Sequence, residues 1–288
     1  MRLAYRGFSR SIVVPLMLLL GWSGLAGLAH GAGPAPAPAN LNDLSLRVAA
    51  LQAIYEFDLS PEQLRAMRGA TNGAADTRQR TAAKGTPKLT TALKDLHEAL
   101  LKQDGEKIAE LRDQIDELQD DDNVDIDDAI HATDTAKVKA PDVLKRLKAS
   151  QIAAYLSEHA DEVGDPVEQM MDALAEIRDP DADDPDGEMQ DTADDVGRLV
   201  GGLDAVKVKQ VTNQVLAWFK AAKALKDDEF ARRMPTLEEG AKRIVGDVAP
   251  MQVLAHWLEN ELAELLANPQ MPGAIDAAIA ARANANLK

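Results

Sequence analysis

Two acidic segments of the chain carry oxygen ligands at alternate positions, the arrangement with which a loop can surround a hard cation such as Ca²⁺. The candidate ligands are Asp121, Asn123 and Asp125 in residues 120–128, and Asp179, Asp181 and Asp183 in residues 179–188. Neither segment completes an EF-hand loop, because each lacks the glycine and the terminal glutamate that such a loop requires. The sequence therefore allows weak cation binding at these six residues, or acidic loops kept open and soluble by charge repulsion.

Residues for other chemistries are scarce. The chain has no cysteine, which excludes disulfides, thiolate metal sites and a lipid-anchor cysteine. No two of its five histidines are spaced to share a helix face as metal ligands. It also lacks a nucleophile elbow, a glycine-rich phosphate loop and a dinucleotide-binding fingerprint. We therefore predict a protein without enzymatic activity, resident metal or cofactor.

The charge balance excludes a further class of partner. The 288 residues include 32 Lys and Arg against 48 Asp and Glu, which gives a formal net charge of −16. Affinity for nucleic acid comes mainly from Lys and Arg contacts to phosphate, so a chain this acidic is a poor candidate for binding DNA or RNA.

The N-terminus has the pattern of a secretory signal peptide. Three arginines and no acid occupy residues 1–10, an apolar run covers residues 12–29, and small residues follow. We predict that residues 1–32 are a cleaved signal and that residues 33–40 are a Pro/Ala spacer. An uncleaved membrane anchor is the alternative, which Pro15 and the glycines of residues 21–27 disfavour. The protein is then exported to the periplasm or the extracellular space, with no transmembrane segment in the mature chain.

The mature chain favours helices nearly throughout. Alanine is abundant, and the alternation of apolar and polar residues that is typical of strands is absent. Helix starts are predicted at Pro61, Pro166 and Thr236, since a capping side chain precedes the first two and Thr236 is itself one. Pro87, Pro141 and Pro250 indicate further boundaries. The fold class predicted is an all-α, multi-helix bundle.

Apolar residues recur at helical spacing along single faces, as at Leu44, Val48, Leu51 and Tyr55. Single apolar stripes with polar backs predict helices that bury one face in a bundle. The segment 179–187 is acidic, poor in helix formers and rich in Pro. We therefore predict two helical lobes, residues 41–178 and 188–288, joined by an acidic linker at 179–187.

Three aromatic residues in the C-terminal half, Trp218, Phe219 and Trp257, lie on or beside apolar stripes. They could anchor the core of that half. They could also form a surface for a partner, because adjacent Trp and Phe side chains cannot both face the same way.

Two short motifs resemble those of a known family. Leu59-Ser60-Pro61-Glu62-Gln63 resembles the LTxxQ signature of small periplasmic helical proteins, the Spy/CpxP-like chaperones and their metal-resistance relatives. Leu147-Lys148-Ala149-Ser150-Gln151 resembles a second copy, in which Lys148 cannot act as a capping acceptor. The resemblance covers at most residues 41–156. It implies a secreted all-α fold, often a curved dimer, that shields unfolded clients or senses envelope stress.

These features together predict a non-enzymatic, exported helical protein that binds protein partners or unfolded clients in a chaperone-like or stress-related role, with a homodimer as one form. The alternative is an acidic protein of the envelope that binds divalent cations or has a structural role. A hydrolase that uses an unrecognised pair of carboxylates is a third class.

Overall fold

The computed structural model describes residues 40–81, 83, 85–122, 126, 129–159, 163–180, 182 and 184–285. In this part of the chain there are twelve α-helices and no strand, which confirms the predicted all-α class. In chain order the helices are α1 Leu41–Glu56, α2 Pro61–Ala70, α3 Pro87–Lys102, α4 Gly105–Asp122, α5 Asp134–Leu144, α6 Ala149–Glu158, α7 Pro166–Ile177, α8 Pro185–Gly201, α9 Ala205–Lys223, α10 Asp227–Val245, α11 Pro250–Ala267 and α12 Met271–Ala285.

The helices form two compact units whose boundaries differ from those of the predicted lobes. The terminal unit combines α1–α4 with the last helix, α12, and the central unit consists of α5–α11. The described residues of the acidic segment 179–187 lie inside the central unit, since residues 185–187 are the first turn of α8 and α8 packs directly against α7. The acidic composition therefore occurs between two helices of one unit and in the start of the second.

Helix α1 is the centre of the terminal unit. It packs against α3 and α12, and 11 of its 16 residues are buried. The sequence predicted one buried face for this helix. In the structure more of its surface is buried, because α12, from the C-terminal end of the chain, packs against it in addition to α3. Two of its polar groups have partners in the turn before α12: the buried Asn268 donates from Nδ2 to the Leu46 carbonyl at 2.8 Å, and the buried Arg47 donates to the Gln270 side chain.

Helices α8 and α9 lie unusually close together in the central unit. A Cβ atom at Gly201 would lie only 2.7 Å from the backbone nitrogen of Val208 on α9, so this approach of two backbones requires glycine. The next residue, Gly202, has a φ of +61° and ends α8. Gly201 and Gly202 therefore lie at the break between the two helices.

Most helix starts lie where local chemistry predicts them, including those at Pro61, Pro87, Pro166 and Pro250. The predicted start at Thr236 is wrong, since α10 runs without a break from Asp227 through Pro235. Three acidic residues in its first turn stabilise this earlier start through the helix dipole. Pro141 likewise lies inside α5 and does not bound it.

Candidate functional site

The first copy of the LTxxQ-like motif is a complete helix cap. Gln63 donates its backbone N–H to Ser60 Oγ at 3.3 Å, and the Ser60 backbone N–H donates back to Gln63 Oε1 at 2.8 Å. Leu59, just before the cap, is buried. The Ser60 hydroxyl and the Gln63 side-chain amide each satisfy the other residue's backbone N–H and so fix the start of α2.

The second copy retains half of that cap. The Lys148 backbone N–H donates to Gln151 Oε1 at 2.8 Å, as in the first copy. Lys148 itself makes no side-chain cap hydrogen bond, as its ammonium group predicts. Leu147 is buried before the helix as Leu59 is. Both motifs thus position the first turn of a helix, and their side chains are used within the fold.

The six candidate cation ligands are for the most part not placed. Asn123, Asp125, Asp181 and Asp183, and the side chain of Asp121, lie outside the described residues. Asp179 is exposed in the turn after α7. Among the residues that the structure does describe, no group of three His, Asp or Glu side chains is arranged to hold a metal ion.

Phe219 and Trp218 lie on different sides of α9, as adjacent residues of a helix must. Phe219 is completely buried among the apolar side chains of α7 to α10 and presents no surface to a partner. Trp218 is half-buried, meets the Phe219 ring edge-on at 5.1 Å between centroids, and donates from Nε1 to the Leu237 carbonyl on α10 at 3.2 Å. Both residues therefore connect α9 to the core.

Trp257 belongs to a separate aromatic cluster. Its ring stacks on Tyr155 at 5.8 Å and lies 5.7 Å from His159, so that α11 is joined to α6, the helix that follows the second motif. Tyr155 is buried, whereas Trp257 and His159 are half-buried. This cluster is a packing contact with one partly exposed edge.

An open groove with a volume of about 470 Å³ lies between α8 and α9. Met189 and Leu216 supply apolar side chains, and Lys220 and Lys223 of α9 supply their methylene stems and ammonium groups. Asp186 at the start of α8 pairs with Lys223, with 3.1 Å between Oδ1 and Nζ. We call these residues, together with Gln190 and Ala224, the α8–α9 groove.

On α8, a charged cluster links this helix to α11. Arg198 donates to Glu264 of α11 at 3.2 Å and also to Asp195. Burial tends to lower the pKa of Arg198, but Asp195 and Glu264 outweigh it and raise this pKa, so the guanidinium stays charged. Burial raises the pKa of Glu264, and Asp195 adds to this effect while Arg198 opposes it. Glu264 therefore costs stability when it is ionised.

The pH dependence of stability tests this cluster. An acid whose pKa is raised on folding contributes most to the stability of the folded protein below its ordinary pKa, here 4.5. That contribution is lost as the pH rises through the pKa of the folded state. We expect Glu264→Gln, which is neutral at all pH values, to gain in melting temperature over the wild type at pH 7 and to lose that advantage near pH 4.5. Thermal unfolding followed by circular dichroism measures this difference, with the exposed Glu176→Gln of α7 as the control. If the melting temperature of Glu264→Gln instead rose relative to the wild type as the pH fell, attraction to Arg198 would outweigh burial in setting the pKa of Glu264.

Sequence reasoning missed the groove and the charged cluster. Arg198 and Glu264 are 66 residues apart, and only the packing of α8 against α11 brings them together. The spacing of Leu216, Lys220 and Lys223 along one flank of α9 was available in the sequence. That spacing does not indicate a groove until α8 is known to lie beside this flank of α9.

Among the described residues, no helix combines the length and the apolar character needed to cross a bilayer. Comparison with known proteins gives no further assignment: no protein-family model, no curated protein and no solved structure matches this chain.

Proposed function

We propose that the chain is an exported, non-enzymatic helical protein of the cell envelope that binds segments of protein partners or unfolded clients. The observation that carries this proposal is the α8–α9 groove, an apolar floor open to solvent and bordered by flexible side chains. Export rests on the signal-peptide pattern of residues 1–32. The resemblance of residues 59–63 and 147–151 to motifs of periplasmic chaperones points in the same direction.

The shape of the groove favours a polypeptide as its occupant. Its volume of about 470 Å³ lies within the range of ligand sites. On the α9 side the lining runs from Leu216 to Ala224, the residue that follows the helix, which is eight steps or about 12 Å along the helix axis. A groove of this length accommodates the apolar side chains of about two turns of a docked helix.

The groove side chains also suit a surface that accepts more than one sequence. Met189 is buried beneath the groove as part of the core, so the half-buried Leu216 is the apolar side chain that a partner can reach. The stems of Lys220 and Lys223 can cover apolar surface while their ammonium groups remain in water. Such adaptable side chains are typical of promiscuous binding sites.

A charged residue on the groove floor tests the proposal. We expect the purified protein to suppress the aggregation of a chemically unfolded client, measured by light scattering, and Leu216→Asp to abolish most of that activity. The matched control is Val206→Asp on the same helix, because Val206 is 79% exposed and lies outside the groove. Circular dichroism of each variant must first show an unchanged helical spectrum. A wild-type protein without effect on aggregation, or equal effects of the two variants, would refute the proposal.

A further inference from the structure

We infer that the α8–α9 groove selects acidic amphipathic helices, in which apolar side chains at helical spacing are flanked by Glu or Asp. The inference rests on the proposed function and specifies the chemistry of the partner. It is argued from the charges at the border of the groove and from the spacing of the lining residues on α9.

The border of the groove is positive although the chain as a whole is acidic. Two lysines, Lys220 and Lys223, lie on its α9 side, and one carboxylate, Asp186, lies on its α8 side. The Lys220 side chain is exposed, and its ammonium group makes no hydrogen bond or ion pair with a described residue. An acidic partner can therefore gain an ion pair with Lys220 without breaking an existing one.

The second lysine can also change partners at small cost. Lys223 pairs with Asp186 at 3.1 Å, and the Asp186 side chain is 82% exposed. An exposed pair of this kind contributes little to stability, so a carboxylate of the partner can replace Asp186 as the acceptor. A basic partner would gain only Asp186 and would place its charges beside two lysines.

The net charge of −16 does not cancel this local preference. At physiological ionic strength, charges more than about 8 Å apart are largely screened, whereas groups in direct contact are not. Remote acidic residues therefore slow the approach of an acidic segment without deciding which segment fits. The groove border sets the preference at contact.

The spacing on α9 specifies a helical partner. Leu216, Lys220 and Lys223 follow one another at intervals of four and three residues, so they share one flank of the helix. A docked helix with the same periodicity would place a leucine over Leu216 and a glutamate one turn further on, at Lys220. An extended peptide places side chains of one face about 6.8 Å apart, which fits the step of about 4.5 Å from Lys220 to Lys223 less well than a helix does.

The test uses two fluorescently labelled 14-residue peptides with leucine at helical spacing, one with glutamate and one with lysine at the flanking positions. Fluorescence anisotropy at 150 mM salt should show the acidic peptide binding about tenfold more tightly than the basic one. The double variant Lys220→Glu/Lys223→Glu should reverse this order, and Asp186→Asn should tighten the acidic complex. The control is Lys207→Glu/Lys209→Glu, which makes the same charge change at least about 16 Å away along α9.

Equal affinities for the two peptides, a preference for the basic one, or no binding of either would overturn the inference. Suppression of client aggregation that persists in any of these cases would leave the proposed function standing, so the two failures are distinguishable. A second copy of the chain is the competing occupant. Dissociation of a dimer by Lys220→Glu/Lys223→Glu, seen by analytical ultracentrifugation, would assign the groove to self-association and overturn the inference as well.

Discussion

Replacing Phe219 by alanine is expected to lower the free energy of unfolding of the central unit by about 3–5 kcal/mol, the cost of truncating a fully buried phenylalanine. Phe219 has no exposed surface and lies among buried side chains of α7 to α10. Truncation would remove its contacts and leave a cavity bordered by four helices, which could relax only if all four moved.

Urea unfolding followed by circular dichroism measures this loss as a lower midpoint with an unchanged slope. Trp218→Ala should cost less, because Trp218 is only half-buried, and Val206→Ala should fall within about 0.5 kcal/mol of the wild type. If Phe219→Ala were as mild as Val206→Ala, the side chain would not lie in the core and Phe219 would again be available to a partner.

The two faces of α9 explain why stability and binding can be tested separately. Phe219 and Val215 face the core, whereas Leu216 and Lys220 line the groove on the adjoining flank. A substitution on the first face should unfold the unit, and one on the second should weaken binding at nearly constant stability. Leu216 also contacts the core cluster from its edge, which is why its variant requires a check of folding.

Local sequence signals predicted the parts of the fold that depend on neighbouring residues. Ser60 and Asp165 cap helices through hydrogen bonds to backbone groups two or three residues away, so these starts could be read directly. Thr236 misled the same reasoning, because α10 continues through Pro235, a proline inside a helix that isolated helix rules would exclude. Propensity is a weak guide where tertiary contacts hold a helix together.

Features that depend on distant parts of the chain could not be predicted. Helix α12 completes the terminal unit by packing on α1, about 220 residues earlier in the chain; the contact of Asn268 with Leu46 spans 222 positions. The groove also depends on tertiary packing, because residues 186–190 and 216–224 meet only where α8 packs against α9. A single sequence predicts which faces of the helices are apolar, but it does not indicate which of these faces pack against each other.

Arg178→Ala is expected to cost the central unit about 2–4 kcal/mol, because this one side chain closes the end of α9. Its Nη1 atom donates to the carbonyls of Ala222, Lys223 and Leu225 at 3.0 to 3.2 Å. The last carbonyls of a helix lack the usual N–H donor from the following turn, and the Ala222 carbonyl also accepts from the Leu225 backbone N–H. The guanidinium also lies 4.1 Å from the centre of the Phe230 ring, and only 13% of the side chain is exposed.

Two further variants separate the cap from the ion pair that Arg178 makes with Asp227. Asp227→Asn should cost under about 1 kcal/mol, since the Asp227 side chain is fully exposed although its Oδ1 accepts from Nη2 at 2.6 Å. Arg178→Lys keeps the charge but cannot span several carbonyls with one planar group, so it should recover only part of the loss. Urea midpoints of the three proteins decide between the two roles. Equal losses in Arg178→Ala and Asp227→Asn would mean that the ion pair holds α7 to the α9–α10 turn, and full rescue by lysine would mean that charge alone suffices.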